Sequence, residues 1–268
     1  MAATPTGPAA TQPTGDVDRA RSAVRALDHR ERVYVWEVPV RITHWVSFTC
    51  IIVLTFTGAY IADPFIMIPG ISTMTTARFV HMLAAYVFVA SFLVRMYWML
   101  AGNRWGRWSA FIPTGRRHVH DLFQQLGWYL FLRPRPPLAV GYNPLASASY
   151  AVVFGIFLLQ IITGFALAGL NGTEPWATLF GWMTAILGPQ GVRLIHHLLM
   201  WALLAFAVHH LYAAVLVDHW EGSGIFSSIF TGDKYLSRKE VEEARDGGLL
   251  VEAPSEEVPP KAEQEAAG

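Results

Sequence analysis

Residues 191–220 read GVRLIHHLLMWALLAFAVHHLYAAVLVDHW, and this stretch decides the fold. Between Arg193 and Asp218 it has no Asp, Glu, Lys or Arg, and it is longer than the roughly 20 apolar residues that cross a bilayer as a helix. Two His-His pairs interrupt it. In a helix, the fourteen residues from His196 to His210 make nearly four turns and about 21 Å of rise, so both rings leave one face at two depths. The thirteen-residue alternatives, His197 with His210 or His196 with His209, point to nearly opposite faces.

Three further segments have the same character. They are residues 43–62, 78–100 and 148–170, with the fourth span over 192–217. The 268 residues are 53% hydrophobic and 15% charged, where a soluble domain carries about a quarter charged residues. The reading is an all-α membrane protein, a four-helix bundle over residues 31–240. Residues 1–30 and 241–268, rich in small, polar or acidic residues, are expected to be flexible tails. The N-terminal stretch lacks the apolar core of a signal peptide. No nucleic-acid-binding pattern occurs. The single cysteine, Cys50, excludes a disulfide framework or a thiolate-held iron–sulfur cluster within the chain, and the absence of C-x-x-C-H excludes a covalently attached haem.

Arginines predict the orientation. The connection between spans two and three carries Arg104, Arg107, Arg116, Arg117, Arg133 and Arg135 against one acid, Asp121. The other two connections hold Asp63 and Glu174 and almost no basic residues. The basic connection and both termini are therefore expected on the cytoplasmic side, with Arg95 snorkelling to that interface. Within the basic connection, Val119, Leu122, Phe123, Leu126 and Leu130 share one face of a short interfacial helix predicted over 118–132. A second short helix is predicted over 173–188 on the outer side, serving either a partner protein or lipid anchoring through Trp176 and Trp182.

Histidines at membrane depth need a partner or a task. On the predicted topology His44 lies near the inner end of span one and His81 near the outer end of span two. His81 then pairs by depth with His196, and His44 with His210. Rings some 20 Å apart along one helix cannot share a zinc or copper ion, and no intramembrane acid accompanies them as a proton relay would require. Two axially ligated haems fit best, and two histidines per iron leave no open position, which points to electron transfer. Arg78 and Arg193 on the outer side, and Arg41 on the inner, are candidates for propionate contacts or for ordinary charge anchoring at helix ends. His197 and His209 lie off the ligand face; His118, His120 and His219 are interfacial or cytoplasmic, and His29 is in the tail. Gly58, Gly155 and Gly164 are either points of close approach or ordinary membrane-helix glycines.

The blocks VYVWEVPVRITHWV (33–46), RFVHMLAAYVFV around His81, GYNPLA (141–146), and VRLIHHLLMW followed by HHLYAAVLVDHW carry a resemblance. From about Val33 to Tyr235 the chain resembles the b-type cytochrome subunit of membrane-bound nickel–iron uptake hydrogenases. That group is akin to the formate dehydrogenase gamma subunit and the di-haem cytochrome b561 superfamily. The resemblance puts the family's haem ligands on His44, His81, His196 and His210. It implies two haem b groups in the bacterial inner membrane, a hydrogenase large subunit, and an iron–sulfur small subunit whose membrane helix packs against this chain. Electrons would then pass to a quinone. Tyr142 and Asn143, in the turn before Pro144, match the quinone-site turn of the formate dehydrogenase relatives, although Leu145 and Ala146 stand where Gly and Gln can occur there. The same architecture could instead serve formate dehydrogenase or thiosulfate reductase, or act alone as a cytochrome b561 exchanging electrons between superoxide and quinone. A haem-free anchor is the remaining alternative.

Overall fold

In a computed structural model, residues 30–64, 72–110, 116–134 and 139–250 are described. The expected tail over 1–29, residues 251–268, and the contributions of Arg116, Arg117, Arg135 and His118 to the basic connection lie outside the described residues or side chains. Contacts divide the chain into a body, residues 34–234, and a terminal unit drawn from the residues on either side of it.

Four helices of the body are long and apolar enough to cross a membrane: α1 (Val38–Ala62), α2 (Thr73–Ala101), α4 (Pro144–Gly169) and α5 (Trp176–Glu221). Between α2 and α4 lies α3 (Arg116–Tyr129), and α6 (Ile225–Thr231) follows α5. Three of the predicted spans fall inside one long helix each, the third span, 148–170, overruns α4 by one residue, and the short helix predicted over 118–132 overlaps α3. The expected interfacial helix over 173–188 is the first limb of α5. Gly188, at φ 68° and ψ 156°, with Pro189 next, breaks the helical path there. That backbone region is open in practice only to glycine, and Pro189 removes a helical N–H donor.

Local sequence sets the other boundaries. Pro144 opens α4 at a position where its missing N–H costs nothing, and Asn143 caps it by accepting from the Ala146 N–H at 2.7 Å. Before α1, the Glu37 carboxylate accepts from Trp98 Nε1 (2.8 Å) and the Asn103 N–H (2.7 Å), tying the start of α1 to the end of α2. Trp36 Nε1 donates to Ser228 Oγ at 3.0 Å, and Arg41 donates to the Phe230 carbonyl, fastening the same entry to α6.

Packing is most extensive within two helix pairs, α1 with α2 and α4 with α5. Aromatic rings bridge the pairs, with Phe88 on Phe157 (5.1 Å), Phe92 on Phe154 (6.1 Å) and Tyr86 on Phe165 (5.8 Å). Phe56, Phe79, Leu93 and Val208 face outward, as lipid-facing side chains do. Val119, Phe123 and Leu126 on α3, and Leu130 just after it, are likewise exposed, so this apolar stripe is uncovered by the body.

β1 (Arg30–Tyr34) pairs with β2 (Asp233–Ser237), and the terminal unit holds the helix α7 (Arg238–Asp246). Neither strand is foreseen by the sequence reading. The tail expected from residue 241 does not begin there, because α7 continues through that position. Ser237 and Glu240 start α7 with a reciprocal capping box, and Val241 and Ala244 are buried.

A second correction concerns Arg95. Rather than snorkelling, it is 7% exposed, donates to the Gly106 carbonyl at 3.0 Å, and lies 5.8 Å from the centre of the Phe154 ring. A guanidinium is always charged, and burial is tolerable only with such partners.

Candidate functional site

Helix α5 carries His196 and His210 on the face turned into the bundle. His210 meets His44 of α1 with ring centres 6.3 Å apart. Two imidazoles trans to one metal ion, each nitrogen about 2 Å from it, have ring centres about 6 Å apart. The pair therefore fits a single iron between the rings. Phe206 stacks on His210 at 5.6 Å, and Trp45 meets His44 edge-on at 5.2 Å. The Nδ1 of His44 is buried without a hydrogen-bond partner.

The other level is built from His81 of α2 and His196 of α5, which lie within electrostatic reach of each other. Each ring rests on a Thr-Gly pair of a neighbouring helix. Thr57 Oγ1 lies 2.9 Å from His81 Nδ1, and a Cβ on Gly58 would come within 3.3 Å of His81 Cε1. Thr163 Oγ1 lies 2.9 Å from His196 Nδ1, and a Cβ on Gly164 would come within 3.2 Å of His196 Cε1. His196 Nε2 faces Gln160 Nε2 at 3.3 Å. A methyl added at Gly155 would meet no atom within 4 Å, so that glycine supports no close approach.

A polar chain approaches His210 from α2. Tyr150 Oη is 3.2 Å from His210 Nδ1, and its ring packs on Tyr142 at 5.0 Å. Tyr142 is hydrogen-bonded to Arg95 and stacked on Trp36 at 4.6 Å. Burial pushes the Tyr142 phenol above its ordinary range, with the Arg95 charge opposing, so it is neutral at physiological pH.

The remaining candidates separate cleanly. His197 Nδ1 donates to the Arg193 carbonyl of its own helix at 3.0 Å. His209 lines a shallow groove on the outer face of α5 with Trp201 and Tyr212. Arg78 and Arg193 are exposed near the His81–His196 level, while Arg41 is engaged with the Phe230 carbonyl. Asn143 spends its side-chain oxygen on the α4 cap. Among the described residues no three His, Cys, Asp or Glu side chains converge as a polynuclear or zinc site would.

Thr57, Thr163, Tyr150 and Gln160 are absent from the sequence reading. The recurrent Thr-Gly dipeptide in spans one and three is the signal that points to two of them.

Residues 35–232 match the family described as prokaryotic cytochrome b561. The chain belongs to that family. With four helices of spanning length and apolarity, it is an integral membrane protein. Among curated relatives, one from Bradyrhizobium diazoefficiens is 38% identical over 240 residues, covering 84% of this chain and 97% of the relative. One from Cupriavidus necator is 38% identical, covering 74% and 85%. Both are named "Probable Ni/Fe-hydrogenase B-type cytochrome subunit". A relative from Escherichia coli K12, named "Probable Ni/Fe-hydrogenase 1 B-type cytochrome subunit", is 34% identical, covering 77% and 91%.

Proposed function

We propose that this cytochrome b561 family member is the membrane-embedded electron carrier of a nickel–iron hydrogenase complex. It would hold two b-type haems and pass electrons from the hydrogenase to quinone. The observation that carries the reading is the His44–His210 separation of 6.3 Å, which leaves room for one iron that both rings would hold, joined to the names of the relatives. His81 and His196 would hold the second haem. Haem b supplies a one-electron iron couple. The protein would present the two rings of each pair to the iron, and it surrounds them with Phe206, Trp45 and the glycines of α1 and α4.

The excess of arginine between α2 and α4 supports a cytoplasmic location for that connection and for both termini, in a bacterial inner membrane. The His81–His196 level then lies nearer the periplasm, where the hydrogenase iron–sulfur subunit and its membrane helix would deliver electrons, with the large subunit beyond. The exposed apolar stripe of α3 supports a helix lying in the inner interface. Arg78 and Arg193 are the candidates for propionates at the outer level and Arg41 at the inner. Tyr142 and Asn143 are the candidates for the quinone end.

The decisive experiment is haem quantification in purified variants. His196→Ala and His210→Ala should each lose one of two haems, while His197→Ala and His209→Ala retain both. The reverse pattern, or wild-type protein without a Soret band, refutes the assignment. Co-purification in mild detergent should bring hydrogenase subunits; a molybdopterin enzyme in their place would reassign the donor.

A further inference from the structure

The two histidine levels differ in what stands behind the rings. At the His81–His196 level both rings meet a hydroxyl that is already donating: Thr57 to the Val53 carbonyl at 2.7 Å, and Thr163 to the Leu159 carbonyl at 2.8 Å. A hydroxyl has one proton to give. Each Oγ1 can therefore only accept from the ring, which puts the imidazole proton on Nδ1 and leaves Nε2 unprotonated. Donation from Nδ1–H makes an imidazole a more basic ligand, and a more basic axial ligand favours ferric iron.

The His44–His210 level lacks this arrangement. His44 Nδ1 is buried without an acceptor, and His210 Nδ1 faces a phenol at the longer distance of 3.2 Å. The buried Arg95 cation also reaches this level through Tyr142 and Tyr150. A positive charge in a low-dielectric interior favours ferrous iron.

We propose that Thr57 and Thr163 are positioning residues that lock the tautomer and orientation of His81 and His196, and so hold the haem at that level at a lower reduction potential than the haem at the His44–His210 level. The inference rests on the two-haem reading above. One electron passing between the levels oxidises a ferrous iron at the first and reduces a ferric iron at the second, and the hydroxyls make that direction downhill.

The test is potentiometry of the purified full-length protein, followed by its visible bands and by electron paramagnetic resonance. Thr57→Val and Thr163→Val keep the side-chain shape and remove the hydroxyl acceptor; beside His81 the Leu54 carbonyl remains as a second acceptor, so Thr163→Val is the sharper variant. Each should raise the lower-potential transition, shift the g-values of that centre, and leave the higher transition in place; Thr57→Ser and Thr163→Ser should restore the wild-type values. The proposal is overturned if valine leaves the lower transition unmoved, shifts only the higher one, or is matched by serine. Should a valine variant fail to assemble, electron–nuclear double resonance of the exchangeable Nδ1 protons in wild type decides. The more strongly hydrogen-bonded protons should belong to the lower-potential haem, and finding them on the other reverses the ordering. A wild-type preparation with fewer than two haems would instead sink the reading beneath, leaving a result distinct from an insensitive threonine.

Discussion

At the scale of single residues, the site is held by small groups whose absence of bulk matters as much as any ligand. Alanine at Gly58 or Gly164 places a methyl 3.3 or 3.2 Å from the Cε1 of His81 or His196, closer than ordinary van der Waals contact. Each ring must yield by a few tenths of an ångström. Gly58→Ala and Gly164→Ala should keep haem but alter the electron paramagnetic resonance of one centre only, and Gly164→Leu should lose that haem. A Gly164→Leu protein with an unchanged spectrum would show that the glycine is mere helix filler. Asn143 poses a different question, because its cap alone accounts for its side chain. Asn143→Ala should cost about 1 kcal/mol of helix stability, while Asn143→Ser should restore it. If quinone reduction falls in both variants with both haems present, the amide acts beyond the cap; if serine is fully active, it is a turn residue.

Among the elements, α5 has the contents easiest to read. The uncharged run and the fourteen-residue histidine spacing are explicit in the sequence, as are the limits of α1, α2 and α4, because a bilayer-length apolar block admits few other structures. The sequence reads Trp176 to Glu221 as two separate helices, and the non-helical backbone at Gly188, with Pro189 next, divides α5 into two limbs at that place. Strands β1 and β2 escape notice because five-residue segments beside polar tails carry little periodic signal. Arg95 departs from its expected place for a related reason. Its tolerance depends on the Gly106 carbonyl and on Tyr142, partners distant in sequence. The kink is testable: Gly188→Ala forces a methyl-bearing residue into φ 68°, ψ 156°, a penalty of roughly 1–3 kcal/mol. Thermal loss of the Soret band should occur at lower temperature in that variant than in wild type. An unchanged melting temperature would mean that the bend relaxes freely. For α3, reporter fusions within residues 119–130 should read as cytoplasmic, and a periplasmic signal would invert the orientation proposed for all four spans.

Across the whole molecule, each spanning helix serves both levels at nearly one interval. On α1, Thr57 follows His44 by thirteen residues; on α4, Thr163 follows Tyr150 by thirteen. On α2, Arg95 follows His81 by fourteen, as His210 follows His196 on α5. About 20 Å of helical rise separates the members of each pair, so four helices assemble two sites without sharing a side chain between them. Sites that far apart, with no common partner, respond independently. Arg95 belongs to the His44–His210 level, and its charge is the one feature there that reaches the ring through two tyrosines rather than by contact. Arg95→Met should therefore lower the potential of the haem at that level and leave the other where it is. It should also destabilise the fold by about 1–3 kcal/mol, because the Gly106 carbonyl loses its donor. Arg95→Lys, which keeps the charge, should retain most of the potential while losing part of the stability. Equal displacement of both transitions by Arg95→Met would mean that the two levels communicate through the packing of α2, and the division of labour along each helix would have to be abandoned.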